Sequence, residues 1–169
     1  MNFFNSGNYP LIIGGLILFY IVLLLALFAW RYCRRKKVKE TISRLTSGAQ
    51  EMPVKEFLAM REVREGKRKI SNQADFTGIY IIHNLTKDKY YVGQSKTVLK
   101  RINSHFTGSG NGDVYADLKY GDEFTVKAIP LSESGYGSLD DLERDAIQTY
   151  KACESGYNKN RGNKTNRWM

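Results

Sequence analysis

The first 30 residues contain no Lys, Arg, Asp or Glu, and the whole chain of 169 has only two cysteines. Cys33 and Cys153 stand far apart, with no CxxC pair. That spacing excludes a thiolate zinc site, which needs clustered ligands. No internal repeat is present, so solenoids and propellers are excluded as well. The missing charge is the more informative absence. Leu11 to Trp30 read LIIGGLILFYIVLLLALFAW, 20 residues without a charged side chain. As a helix this stretch is about 30 Å long, the thickness of a bilayer core. The preceding MNFFNSGNYP has no basic side chain, and no small-residue cleavage site follows, which argues against a signal peptide.

Charge returns abruptly. Arg31, Arg34, Arg35, Lys36, Lys37 and Lys39 follow the apolar run directly. Basic residues flanking one end of a span mark its cytoplasmic side. The expected topology is a single-pass cell-membrane protein with its N-terminus outside and residues 31–169 in the cytoplasm. Both thiols are then in a reducing compartment. The same cluster, Arg31, Arg34, Arg35, Lys36 and Lys37, suits contact with anionic lipids. Residues 31–70 hold half of the chain's basic side chains, whereas residues 71–169 are nearly neutral.

Four segments follow. Residues 1–10 form a short extracytoplasmic terminus and 11–30 the membrane helix. Residues 31–72 form a basic connector, with a short helix expected within 53–67. Residues 73–169 form a compact α/β (α+β) domain. Within it the patterning predicts strands at 77–84 and 89–95 and a helix at 97–107. A Gly-rich loop at 107–112 and a short helix near 113–120 follow, then a strand at 123–131 and a helix at 138–152. Ser138 before Asp141 is a helix start signal, and Gly156 reads as the stop.

The two runs TGIYIIHN and KYYVGQS flank a polar turn and read as a hairpin. With a two-residue turn at Leu85-Thr86, Tyr80 lies opposite Tyr91 and Gly78 opposite Gly93. Two phenols then stand side by side, next to positions that leave room for a substrate backbone. Taken alone, the pair fits better an aromatic contact that merely stabilises the hairpin. In the last helix, Leu139, Leu142, Ala146, Ile147 and Tyr150 form an apolar stripe, and Glu143 falls inside it. A carboxylate aimed at a core needs a metal or an ionic partner, Arg101 for example. In the helix KTVLKRINSHF, Arg101 and His105 lie four apart on one edge of the buried face. That edge fits phosphate binding and proton relay, or merely a solvated helix border.

Gly78-Ile79-Tyr80 and Tyr91-Val92-Gly93 resemble the two signatures of the GIY-YIG endonuclease superfamily. The resemblance continues with Arg101 ten residues after Tyr91, Glu143 within Leu142-Glu143-Arg144, and Asn158 within Gly156-Tyr157-Asn158. It runs from about Phe76 to Gly162. Val92 replaces the usual Ile, and His105 occupies a position that is His or Tyr in many relatives.

The resemblance implies a small three-stranded antiparallel sheet flanked by helices, and hydrolysis of a nucleic-acid phosphodiester with one divalent cation, Mg²⁺ or Mn²⁺. It implies Glu143 as metal ligand, Tyr80 as general base, and Tyr91 as a positioner of water or phosphate. Arg101 would neutralise the phosphate, His105 would assist Tyr80, and Asn158 would brace the site. Gly78, Gly93, Lys96, Lys159 and Arg161 are candidate nucleic-acid contacts, with Lys164, Arg167 and Trp168 extending a basic tail. DNA is the expected substrate, and RNA remains open. Tethering suits cleavage of incoming phage or other foreign DNA, or processing during DNA transfer or uptake. The alternative is a catalytically inactive, membrane-anchored nucleic-acid-binding module.

Overall fold

A computed structural model describes residues 9–64, 67–69 and 75–163, without the side chains of 9–12 and 62–69. The chain divides into two compact units, Met1–Val38 and Lys39–Met169. The first helix, α1, covers Tyr9–Gly48. It does not stop at residue 30 but continues through the basic stretch, which contains no glycine or proline before Gly48 to break it. Its N-terminal part is long and apolar enough to cross a membrane, and none of that part is buried by protein. Of the terminus expected at residues 1–10, Tyr9 and Pro10 already belong to α1, and residues 1–8 lie outside the described residues, as does the connector boundary at 72 and 73.

In the second unit the elements run β1 (Met52–Pro53), α2 (Val54–Ala59), β2 (Glu62–Arg64), β3 (Lys67–Lys69) and β4 (Gly78–Asn84). Then follow β5 (Lys89–Ser95), α3 (Val98–Phe106), α4 (Gly112–Lys119), β6 (Phe124–Pro130), α5 (Leu131–Ser134) and α6 (Leu139–Thr149). The class is the expected mixture of helices with an antiparallel sheet, but the sheet has four strands, ordered β1-β6-β4-β5. The additional strand is two residues long. Pro53 cannot donate to a ladder and is confined to an edge, where it also opens α2. The short helix expected within 53–67 is α2, six residues long, and β2 and β3 form a separate ribbon after it.

Alternation along the strands builds two layers around the sheet. Tyr80 and Ile82 of β4 and Phe124 and Val126 of β6 pack with Val54 and Phe57 of α2, with Val98, Ile102 and Phe106 of α3, and with Val114 of α4. The opposite face presents Ile79, Ile81 and Val92, all buried, and α6 lies against β4 and β5 on that side. Each fully buried aliphatic or aromatic side chain stabilises by about 1.5–3 kcal/mol relative to exposure. The α6 stripe is as expected, with Leu142, Ala146 and Ile147 buried and Glu143 among them. Ser138 caps the helix by accepting from the Asp141 N–H. Gly156 is not its stop, because α6 ends at Thr149. A Cβ at Gly156 would collide with the carbonyl of Tyr90, 2.7 Å also separating it from that of Ala152.

The hairpin register differs from the expected one by two residues. Tyr80 pairs with Gly93, Ile82 with Tyr91, and Gly78 with Ser95. The turn has four residues, not two. Asn84 Oδ1 accepts from the Lys87 N–H at 3.0 Å, and Asp88 closes the turn at φ 48°. The Leu85 N–H donates to the Glu123 carbonyl at 2.8 Å, which ties the turn to the entry of β6. A two-residue shift preserves which face each side chain occupies. Tyr80 and Tyr91 therefore remain on one side.

Candidate active site

The β4–β5 pairing places Tyr80 beside a residue without a side chain. A Cβ at Gly93 would overlap the Tyr80 hydroxyl and lie 2.5 Å from ring atom Cζ. At Gly78 a Cβ would overlap the Ile129 carbonyl oxygen and stand 3.0 Å from its carbon. The room at both glycines is taken by the chain itself. This corrects the expectation of space for a substrate backbone there.

Tyr80 is 1% exposed, and its Oη lies 2.8 Å from Nε2 of His105. His105 is fully buried, not on a solvated border, and its Nδ1 accepts from the Asn111 N–H at 2.8 Å. The Tyr91 ring lies 4.7 Å from the His105 ring and 6.1 Å from that of Tyr80. Burial raises the pKa of Tyr80, and Tyr91 raises it further, while the Arg101 guanidinium pulls it down. Burial also raises that of Tyr91; Tyr80 and Arg101 lower it, and the Glu143 carboxylate raises it. Arg101 is exposed on α3 and acts on the phenol pair from the rim. A phenol is a weak base at neutral pH, so this environment requires cationic help before either tyrosine ionises.

Glu143 approaches from α6 on the opposite face. It packs beside β5, the outer strand of the sheet, and its charge is felt by Tyr91 there. It is 9% exposed, and its Oε2 accepts from Gln94 Nε2 at 3.0 Å. The same amide nitrogen donates to Asp140 Oδ1 at 2.6 Å. Burial raises the Glu143 pKa, and the charge of Asp140 adds to the rise. Among the described residues no Lys or Arg pairs with Glu143, so the anticipated ion pair with Arg101 is not formed. A buried carboxylate without a cationic side chain beside it has the chemistry of a hard-cation ligand. Among the described residues no three or more His, Cys, Asp or Glu are grouped so that they could hold a metal ion. One or two carboxylates with water completing the shell is the arrangement Mg²⁺ tolerates best. The donor set therefore fits a divalent cation at Glu143.

Asn158 braces β5 by imitating a strand. Its Oδ1 accepts from the Val92 N–H at 2.9 Å, and its Nδ2 donates to the Val92 carbonyl at 2.7 Å. Its neighbour Tyr157 is anchored through Oη, which accepts from Asn84 Nδ2 at 2.7 Å and donates to Asp117 Oδ2 at 2.6 Å. Tyr80, Tyr91 and His105 are thus in mutual contact, the charges of Arg101 and Glu143 are felt by the phenols, and Asn158 is bonded to Val92 of β5. Lys96, Lys159 and Arg161 are exposed. Lys164, Arg167 and Trp168 lie outside the described residues. Gln94, Asp140 and Asn111 were not singled out from the sequence. Only Asn111, in Asn-Gly-Asp before α4, carried a signal, that of a helix cap.

The buried imidazole has a measurable consequence. Burial first, and Arg101 second, lower the His105 pKa to about 4 from an ordinary 6.5. Between those values the unfolded chain binds a proton that the folded chain does not. Stability therefore falls as pH drops from 6.5 toward 4, and this contribution is flat below. The difference corresponds to about 3 kcal/mol. Denaturant titrations from neutral pH down to pH 4 should show this loss in the wild type. His105→Gln should lack it, and parallel curves for the two proteins would exclude the assignment.

The family model described as the GIY-YIG catalytic domain matches residues 76–158. The chain thus carries a domain of the GIY-YIG endonuclease superfamily. The domain is that of a nuclease, a class that acts on DNA and typically uses a divalent metal. No curated protein and no solved structure matches the chain.

Proposed function

We propose that the protein is a membrane-tethered, metal-dependent endonuclease that hydrolyses DNA phosphodiester bonds at the cytoplasmic face. The observation that carries this reading is Glu143, a buried carboxylate with no cationic side chain paired to it among the described residues, acting on Tyr91 beside Tyr80. In this reading Glu143 holds Mg²⁺ or Mn²⁺. Bound there, the cation supplies charge stabilisation at the phosphate and leaving oxygen. Tyr80 accepts the proton of the attacking water, and Tyr91 orients water or phosphate. Arg101 neutralises charge developing on the phosphate. His105 supports Tyr80, and Asn158 holds β5 in place. Lys96, Lys159 and Arg161 line the approach of the strand.

The apolar part of α1 supports the tether, and Arg31, Arg34, Arg35, Lys36 and Lys37 support contact with anionic headgroups. The Arg34 guanidinium lies 5.7 Å from the Trp30 ring centre, an arrangement suited to a membrane interface. Confinement to the inner surface limits cleavage to DNA passing there, such as phage or other foreign DNA, or DNA handled during transfer or uptake.

The test uses the full chain in nanodiscs with supercoiled plasmid, Mg²⁺ or Mn²⁺, and a chelator control. Metal-dependent nicking is expected. Plasmid binding without cleavage in either metal would replace the nuclease with a silent, membrane-anchored binding module. Release of the chain from membranes by alkaline carbonate would remove the tether.

A further inference from the structure

The hydrogen positions on His105 follow from its partners. A main-chain N–H only donates, so Nδ1, which receives the Asn111 N–H at 2.8 Å, holds a lone pair. The ring is fully buried. The groups that face it are Tyr80 from β4, Tyr91 from β5, Arg101 one turn earlier on its own helix, and the Asn111 amide. Among the described residues no carboxylate faces the ring to favour its charge, and burial and Arg101 oppose it, so it is neutral at physiological pH. A neutral imidazole with a bare Nδ1 carries its hydrogen on Nε2. Nε2 stands 2.8 Å from Tyr80 Oη. The imidazole therefore donates to the phenolic oxygen and has no lone pair there with which to take its proton.

We propose that the loop between α3 and α4 is a positioning element of the site, which through the Asn111 amide holds His105 as an Nε2–H donor that stabilises the Tyr80 phenolate. The catalytic meaning of this assignment rests on the nuclease reading above, whereas the tautomer does not. In the hydrolytic step the water oxygen bonds phosphorus as its O–H bond breaks and that proton joins the Tyr80 oxygen, while the phosphorus bond to the leaving sugar oxygen breaks and that oxygen takes a proton from solvent. The His105 N–H bond is unchanged throughout, and the imidazole never becomes imidazolium. The phenolate that begins the cycle has already lost its proton to solvent.

The loop is built for this approach. A Cβ at Gly110 would stand 2.6 Å from His105 Nδ1 and 2.7 Å from its Cα, so any larger residue lifts the loop off the ring. Asn111 is fixed on the other side. Its Oδ1 accepts from the N–H groups of Asp113 at 2.9 Å and Val114 at 3.1 Å, capping α4. Its Nδ2 donates to the Tyr157 carbonyl at 3.3 Å, one residue before Asn158. One residue thereby couples a helix start, the buried imidazole and the segment that braces β5.

The test reads the imidazole directly. The chain has two histidines, His83 and His105, so ¹⁵N-histidine labelling of the full chain in micelles gives two ring systems, which His105→Gln assigns. Long-range ¹H–¹⁵N correlation should show His105 protonated on Nε2 alone, without change from about pH 5 to pH 8. Asn111 has φ −76° and ψ 120°, values a proline adopts. Asn111→Pro removes the N–H together with the cap and the bond to Tyr157, and Asn111→Ala removes those two side-chain interactions but keeps the N–H. Asn111→Pro should admit the Nδ1–H form and lower cleavage on the order of tenfold relative to Asn111→Ala. Should the proline variant fail to fold, Gly110→Ala provides the same readout. A ring protonated on Nδ1 or charged at pH 7 in the wild type, or a tautomer unmoved when the loop is displaced, overturns the proposal. Absence of cleavage in all variants with the expected tautomer overturns the catalytic reading alone.

Discussion

Glu143→Gln should abolish cleavage while leaving the metal-free protein at least as stable as the wild type. The two halves of this result have one cause. The carboxylate is buried, and both its desolvation and the charge of Asp140 disfavour ionisation. A group whose folded pKa is raised costs stability once pH exceeds its unfolded value, so the charge destabilises the fold at neutral pH. The amide keeps an oxygen to accept from Gln94 and removes the charge. Cleavage should fall about a thousandfold or more, since a cation stabilising the transition state has lost its ligand. Calorimetry adds a second readout. Mn²⁺ at 100 times its dissociation constant raises the stability of a binding protein by about 2.7 kcal/mol. The wild-type melting temperature should rise with Mn²⁺ and that of Glu143→Gln should not. A variant that cleaves within tenfold of the wild type would remove Glu143 from the reaction.

Gly93→Ala carries the second large effect. One methyl group at this position meets the hydroxyl and Cζ of Tyr80. The ring is walled in by the core, so it cannot retreat without giving up the 2.8 Å bond to His105. Overpacking of this kind costs about 1–3 kcal/mol. Displacing the proposed base should lower cleavage roughly a hundredfold. Gly137→Ala is the control, because nothing lies within 4 Å of its added Cβ. It should alter stability by less than about 0.5 kcal/mol. Urea denaturation and plasmid nicking on both variants decide the matter. A fully active Gly93→Ala would mean that the Tyr80 position is not critical.

The elements that the sequence predicted well are those specified by local patterning. The β4 and β5 strands, α3, α4, β6 and the buried face of α6 lie within a few residues of their expected bounds. Of the six positions proposed for catalysis, Tyr80, Tyr91 and His105 lie in contact, and Asn158 is bonded to β5. What escaped depends on contacts distant in sequence. The hairpin register is set in part by the Leu85 amide meeting Glu123, which no local rule anticipates. Strand β1 is two residues, too short for a period. Gln94 was passed over because its value lies in reaching two carboxylates on another element. Asn111 matters to the site through its backbone, which a side-chain motif cannot express. The mirrored glycines were legible as meaningful but not in their purpose. They admit a phenol and a carbonyl of the protein, not a ligand.

The two bonds from the Asn158 amide to Val92 also bear on crowding. Proteins held on a surface meet their own copies at high local concentration, and an open sheet border is where such copies join. Here the outer rail of the sheet is plugged at Val92 by that amide and at the Tyr90 carbonyl by the Tyr157 N–H. A neighbouring chain finds no ladder to extend at that point.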